Sequence, residues 1–396
     1  MILLKIVQNA ELVHLIMQNK KYKIFIIAGE VSGDILGAKI ISEMPDMNFV
    51  GIGGENMINA GLRPIFPMSD LAVMGVIEVL AHARTLTRRI KQTAQAILDE
   101  RPDLVLTIDA PGFAKRVVNL VKSTKSGAEL INNGMRFHHF VAPQVWAWRP
   151  GRAKKYTKTF DKLYAFFDFE IPYFTKHGLP TIAVGHPTAD ELVGRKDTDK
   201  TSDKIITLIP GSRISEATRL MPLFRDVVER MINDGYNGYK FIIPTVETTT
   251  EYIQQEIKTW PITPEIVPSS ERYNVYSQTY IALAASGTVT AELAMLHIPT
   301  IVVYRMNPIS TWIIRQIINT KWVSLVNILL QRTVYPELLG PMATVDNIIN
   351  TFITLANPSS RKKMISELKS ADKLWCPNKY SAITTIANDI RKTISK

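Results

Sequence analysis

The chain reads as an α/β protein of two Rossmann-like halves, with parallel sheets facing each other across a cleft. Two similar turns and one alternation carry that reading. Lys23–Ile41 (KIFIIAGEVSGDILGAKII) and Lys204–Phe224 (KIITLIPGSRISEATRLMPLF) each run from an apolar β-like segment through a glycine turn into a helix. Such a turn sets small residues and backbone N–H groups at a helix N-terminus, where the dipole favours an anion. One turn of this kind is common in α/β proteins. Two of them, far apart, open the case for a protein that handles sugar nucleotides.

The elements follow in order. Ile24–Ala28, Asn48–Gly51, Leu104–Ile108, Phe137–Val141, Lys162–Phe166 and Thr181–Val184 are β-like runs. Helical stretches at Asp34–Glu43, Val76–Glu100 and Ala114–Lys122 separate them, the mark of a parallel sheet with crossover helices. The polar stretch Gly194–Lys204 (GRKDTDKTSDK) interrupts the pattern and reads as a linker. Beyond it the alternation restarts with Ile205–Ile209, Lys240–Ile243, Ile281–Ala284 and Thr300–Val303. The expected organisation is therefore an N-terminal extension (1–21), a first Rossmann-like domain (22–193), the linker (194–204), and a second such domain (205–370). A helical tail (371–396) is free to pack back on the first domain, and its basic end, Arg391–Lys396, reads as a solvated, fraying terminus.

At 396 residues the chain is too long for one ordinary core and fits two domains. A hydrophobic content of 46% with 8% aromatics excludes a disordered chain. The net charge of +11 and the pI near 9.5 call for an anionic partner: nucleic acid, an acidic membrane surface or a phosphorylated substrate. No nucleic-acid-binding motif is present, so no nucleic-acid partner is expected. The single cysteine, Cys376, excludes an internal disulfide and a cysteine-only metal site, which suits a reducing cytoplasm. The first 22 residues leave two readings open. Met17 is the true start and the preceding sixteen residues are untranslated, or they form a short amphipathic membrane-contacting arm. No uncharged apolar run reaches the ~20 residues of a spanning helix.

The second half carries the more specific motif. Ile281–Ala284 leads through Ala285-Ser286-Gly287-Thr288 into a helix, so Ser286, Gly287 and Thr288 can offer donors to a diphosphate. Glu292, about one turn in, can accept the ribose hydroxyls of a nucleotide. The plain alternative is an ordinary Ser/Thr cap followed by dipole compensation. The pairing with Pro210-Gly211-Ser212-Arg213 decides for the nucleotide, because Arg213 brings a guanidinium that would neutralise a leaving diphosphate.

In the first half, Asp109 ends the strand Leu104–Ile108, where α/β enzymes place chemistry; its alternative is an Asx-turn. Glu30 and Ser32 in the first glycine turn reach the same edge, while Asp34 reads as a helix cap. No metal signature appears. His138 and His139 are adjacent in a strand, so they face opposite ways and cannot chelate together.

The turn AGEVSGD, the segment Val145-Trp146-Ala147-Trp148-Arg149, the triplet Gly185-His186-Pro187, PGSR, ASGT, and Val326-Asn327-Ile328-Leu329 followed by Pro336-Glu337-Leu338-Leu339 resemble the lipid-A-disaccharide synthase family. The resemblance runs from Tyr22 to about Ile349, in order. It implies the two-domain GT-B fold and an inverting hexosyltransferase that needs no cofactor. Such an enzyme joins UDP-2,3-diacylglucosamine to 2,3-diacylglucosamine 1-phosphate, releasing UDP, in the cytoplasmic part of lipid A synthesis in Gram-negative bacteria.

Residue by residue, the resemblance puts a catalytic base on Asp109 and an essential arginine on Arg213. Donor contacts fall on Gly211, Ser212, Ser286, Gly287, Thr288, Glu292 and Asn327, and the acceptor side on Glu30 and Ser32. Three departures stand out. Gly112-Phe113-Ala114 replaces Asp-Phe-Asn, Asp168-Phe169-Glu170 replaces Pro-Phe-Glu, and Gly340 replaces a common Gln. An α-linked donor and a β product mean inversion in one in-line displacement. Asp109 would deprotonate the acceptor 6-hydroxyl, while Arg213 and the Ser286–Thr288 helix end absorb diphosphate charge in place of a metal.

Acylated substrates imply a lipid-facing surface and peripheral association with the inner membrane. In Val73–Leu98, Val76, Val79, Ala83, Leu86, Ile90, Ala94 and Ile97 follow 3/4 spacing and form a core face. Val73, Ile77 and Leu80 make a second seam, continued by Arg84, Arg88 and Lys91, which reads either as an interfacial membrane contact or as a surface buried by another domain or subunit. Trp146 and Trp148 read equally as core aromatics or acyl contacts, and a second copy of the chain is a candidate partner. Two rival functions remain. One is another UDP-GlcNAc enzyme of the same fold, such as the peptidoglycan GlcNAc transferase or a 2-epimerase; the other is a non-catalytic nucleotide- or lipid-binding protein.

Overall fold

The structure, a computed structural model, describes residues 21–71, 83–148, 150–192, 204–305, 320–378 and 380–395. Its contacts divide the chain into two compact units. One holds the residues up to Val145, Gly151–Val184 and the chain from Asn378 onward; the other holds Trp146–Pro150 and Gly185–Pro377. The division differs from the expected boundaries after 193 and 370, and most of the expected linker lies outside the described residues.

In the first unit, strands β1 (Lys23–Ala28), β2 (Asn48–Ile52), β3 (Arg63–Pro64), β4 (Leu104–Ile108), β5 (Arg136–Phe140), β6 (Lys162–Ala165) and β7 (Thr181–Ala183) form one sheet. Its order is β3-β2-β1-β4-β5-β6-β7, and every pairing is parallel. Helices cover both faces, so the central strands are buried almost throughout and largely apolar rather than alternating. Phe25 and Ile27 of β1 join one core with Val105, Val117 and Phe137, while Ile24, Ile26 and Ala28 join the other with Ile40 and Leu106. That division is the two-residue period of a strand.

The second core is closed by the C-terminal helix Ala382–Ile394, through Ile383, Ile386, Ala387 and Ile390 at helical spacing. Ser381 caps it, accepting from the Thr384 N–H at 3.0 Å, and Arg391 binds Asp46 at 2.7 Å. The end expected to fray is therefore a docked amphipathic helix as far as Ile394.

The second unit repeats the plan. Strands β8 (Ile205–Ile209), β9 (Lys240–Thr245), β10 (Glu265–Pro268), β11 (Thr279–Ala285), β12 (Thr300–Tyr304) and β13 (Glu337–Leu339) run parallel in the order β10-β9-β8-β11-β12-β13. In each sheet the order reverses between two neighbouring central strands, β1 and β4 or β8 and β11. The carboxyl ends at such a reversal splay the following loops apart and open a crevice, the usual ligand position in doubly wound sheets. The register puts Ala28 beside Ile108 and Ile209 beside Ala284, which brings both pairs of suspected functional loops to these points.

Candidate functional site

The β1/β4 crevice carries the carboxylates. Asp109 and the following Ala110 both have left-handed backbone, with φ of 52° and 43°. Such residues cost of order 1–3 kcal/mol each and persist only where surrounding structure enforces them. Here the Asp109 N–H donates to the Phe140 carbonyl at 3.0 Å, and Asp109 Oδ1 accepts from the Ala110 N–H at 2.9 Å. The double kink starts the helix Pro111–Lys122 three residues earlier than the apolar pattern suggests. Gly29 packs tightly beside it, where a Cβ would approach the Ala110 Cβ to 3.0 Å.

Glu30 and Ser32 are exposed at the mouth. The Glu30 carboxyl is raised above its ordinary range, first by burial and then by the like charge of Asp109. Both acids stand at the carboxyl ends of the adjacent strands β1 and β4. Asp34 does cap a helix, though not its own. Buried at the start of the helix Val31–Glu43, it accepts from the N–H groups of Gly54, Asn56 and Met57 at 2.7, 3.1 and 3.0 Å. It thereby caps the next helix, Glu55–Asn59. His138 and His139 point apart, to the Tyr164 hydroxyl at 2.8 Å and the Thr107 hydroxyl at 2.7 Å. Burial depresses them to about 4 and about 3, so both are neutral structural groups.

The β8/β11 crevice is a cavity of about 420 Å³ in which the PGSR and ASGT turns meet. Gly211 has φ of +105°, and a Cβ there would fall 2.4 Å from Glu216 Oε2, so only glycine makes this turn. Arg213 stands at the N-cap of the helix Ile214–Asn233, its side chain 73% exposed, with Nη1 donating to Glu216 Oε1 at 3.1 Å. Ser212 is tied by its carbonyl, which accepts from the Thr248 hydroxyl at 3.0 Å.

Across the pocket, the helix Thr288–Met295 begins at an extended Gly287 with no side-chain cap. The ordinary-cap explanation of Ser286 and Thr288 therefore fails. A Cβ on Gly287 would meet nothing within 4 Å, so no packing demands glycine there; the gap leaves bare backbone facing the cavity.

Glu292 lines the same cavity, and its Oε2 accepts from Arg272 Nε at 3.2 Å. Arg272 is the functional candidate that sequence reasoning missed. It is held by the Ser269 carbonyl (2.9 Å) and the Tyr273 hydroxyl (2.9 Å), with the Tyr273 ring 4.2 Å below its guanidinium. Burial works against its charge, but Glu292 and Tyr273 outweigh that and raise it further. The sequence offers little signal for it, because the strand that it follows, Glu265–Pro268, is a short edge run without a period.

Asn327 requires a correction. It is wholly buried and lies outside the lining of the cavity. Its Nδ2 donates to the Tyr335 carbonyl and Glu337 Oε1, and its Oδ1 accepts from the Val334 and Tyr335 N–H groups, all at 2.8 Å. An amide has four such capacities, and none remains for a donor. Glu337 is the other hub, accepting also from the Ser324 N–H and hydroxyl and the Val323 N–H.

Arg84, Arg88 and Lys91 are exposed on the helix Ala83–Glu100, which buries Ile90, Ala94 and Ile97. The seam residues Val73, Ile77 and Leu80 lie outside the described residues, as does Arg149. Trp146 is buried and Trp148 exposed. No group of His, Cys, Asp and Glu able to hold a metal occurs among the described residues, and no helix there is long and apolar enough to cross a membrane.

Two doubly wound units with parallel sheets, one of them with a cavity between two glycine turns, define the GT-B class of glycosyltransferase. Solved structures agree on the fold. A Staphylococcus aureus MnaA–UDP complex matches with a TM-score of 0.58 at 15% identity over 94% of this chain and 97% of that one. Acinetobacter baumannii MurG matches with 0.57 at 12% identity over 94% and 100%. The family model described as lipid-A-disaccharide synthetase matches residues 24–387, and this chain belongs to that family. The lipid-A-disaccharide synthase of Rhodospirillum centenum is 37% identical over 87% of this chain and 88% of its own, and that of Rickettsia bellii 36% identical over 87% and 92%.

Proposed function

We propose that the protein condenses UDP-2,3-diacylglucosamine with 2,3-diacylglucosamine 1-phosphate, giving the β-linked disaccharide 1-phosphate and UDP. The observation that carries this reading is the β8/β11 cavity, where an uncapped helix N-terminus, Arg213 and Arg272 converge on a space suited to a diphosphate. Glu292, steadied by Arg272, has its second carboxylate oxygen left for ribose hydroxyls. Arg213 is exposed and, among the described residues, is held by Glu216 alone, so it can follow charge that grows as the sugar–phosphate bond breaks.

Asp109 acts as the general base on the acceptor 6-hydroxyl, fixed by its own strained backbone. Glu30 keeps the β1/β4 crevice negative. Acyl chains on both substrates favour a protein that works at the cytoplasmic face of the inner membrane, with Arg84, Arg88 and Lys91 toward anionic lipid.

The test is incubation with both substrates in the presence of EDTA. Disaccharide and equimolar UDP are expected. UDP binding without disaccharide would instead indicate a non-catalytic nucleotide-binding protein, and acceptor-independent conversion of UDP-GlcNAc would indicate an epimerase.

A further inference from the structure

A second, smaller cavity of about 330 Å³ lies in the first unit, between the helix Pro111–Lys122 and the short helix Ala153–Tyr156 with the turn after it. Lys115 and Asn119 share one face of the longer helix, four residues apart. Lys154, Lys155 and Lys158 line the opposite wall, and no acid lines either. None of these four lysines is paired to a carboxylate among the described residues. Thr159 donates its hydroxyl to Asn119 Oδ1 at 3.2 Å, which orients the amide and leaves its NH₂ edge as a donor.

Unpaired like charges around a concavity repel, and a bound anion would relieve that repulsion. Lys115 shows the strain directly: its ammonium is pulled below the ordinary lysine range, first by burial and then by Lys155. A solvated lysine face on a convex helix would show neither effect. The pocket also stands beside the chemistry. Lys115 lies about one turn into the helix Pro111–Lys122, which begins two residues after Asp109. Tyr156, next to Lys155, sets its ring 6.1 Å from that of His139, and the next residue on that strand, Phe140, accepts from the Asp109 N–H at 3.0 Å.

We propose that this lysine pocket binds the phosphate monoester of the acceptor sugar. The inference rests on the function proposed above. It adds how that acceptor is recognised. The acceptor carries its reacting hydroxymethyl group and its phosphate on the carbons that flank the ring oxygen, so both must be held within one sugar's width. Asp109 takes the first and the lysines the second. A dianionic phosphate offers enough oxygens for several ammonium groups and the Asn119 amide at once. The donor sugar, whose anomeric phosphate is already engaged as diphosphate, has no group for this pocket.

The test uses the full-length enzyme and the double variant Lys154→Glu/Lys158→Glu, both positions being exposed. Assayed in neutral detergent micelles, the variant should show an acceptor KM raised about ten- to a hundred-fold, the size expected for losing charge-assisted contacts. Its kcat and donor KM should stay close to wild type. An acceptor lacking the phosphate should be used equally poorly by both proteins. Calorimetry with glucosamine 1-phosphate should show binding to the wild type that the variant loses.

An unchanged acceptor KM in an active enzyme would overturn the assignment and leave a solvated face. A defect seen only with anionic vesicles would overturn it too, in favour of a phospholipid headgroup. If the wild type makes no disaccharide, the reading of the reaction fails, but binding of glucosamine 1-phosphate lost in the variant still supports a sugar-phosphate site.

Discussion

In the proposed reaction Asp109, Arg213, Glu292 and Arg272 have separable roles. Asp109→Asn keeps the shape of the kink and removes the base, so turnover should fall about 10²–10⁴-fold while UDP affinity stays near wild type. An unchanged kcat with the true acceptor would reduce Asp109 to a turn residue. At the donor site, ribose is held alike before and after bond breaking, whereas diphosphate charge grows in the transition state. Glu292→Ala should therefore weaken UDP binding, and Arg213→Ala should chiefly lower kcat. Arg272→Ala should do part of both, because Arg272 both lines the pocket and orients Glu292. If Arg213→Ala alters KM alone, its leaving-group role is wrong.

His139 supplies a pH test of the fold rather than of the site. Its folded value is depressed to about 3 by burial, below the ordinary histidine value near 6.5 that the unfolded chain keeps. Below 6.5 the unfolded state binds the extra proton, so stability present at neutral pH is lost as the pH falls toward 4. One such group contributes a slope of about 1.4 kcal/mol per pH unit over that window. His139→Phe should flatten the slope of unfolding free energy by about that much, measured by urea titration between pH 6.5 and 4.5.

Among the elements, the central strands were legible because burial on both faces of a parallel sheet writes an unbroken apolar run. Leu104–Ile108 and Ile205–Ile209 match residue for residue. The edge strands β3, β10 and β13 were not, since runs of two to four residues containing proline or glutamate carry no period. The same distinction governs the site. PGSR and ASGT announce themselves by composition, while Arg272 follows an edge strand that the pattern did not reveal. Asn327 had the opposite failure. Its motif is distinctive, but what the motif specifies is a buried clamp on residues 334–337.

Two tests belong to this scale. Asn327→Ala strands the Val334 and Tyr335 N–H groups and should cost about 2 kcal/mol or more of stability, with UDP affinity in the folded protein unchanged. Loss of UDP affinity without loss of stability would restore a donor contact. Gly211→Ala forces the turn away from Glu216 and should weaken UDP binding while the unfolding midpoint moves far less.

At the scale of the whole molecule, the excess of eleven positive charges calls for an anionic partner, and its distribution matters more than its sum. Some of it borders the β8/β11 cavity, some the lysine cavity, and some the exposed row Arg84, Arg88 and Lys91. The first two are concave and suit the phosphate groups of one bound molecule. The row lies along one helix face at 3/4 spacing, which suits a plane of charge instead. Each cation near an anionic bilayer adds about 1 kcal/mol, a contribution that salt screens over a Debye length of about 8 Å at physiological ionic strength. Arg84→Glu/Arg88→Glu/Lys91→Glu should therefore lose sedimentation with anionic vesicles, and the wild type should lose part of its binding as salt rises. Neutral vesicles should bind both proteins alike, and UDP affinity should not change. Turnover of long-chain substrates presented in anionic vesicles should drop in the variant and recover in neutral detergent, where no surface need be found. A triple variant that sediments like the wild type would show that this helix face meets no membrane, and that the charge there serves solubility alone.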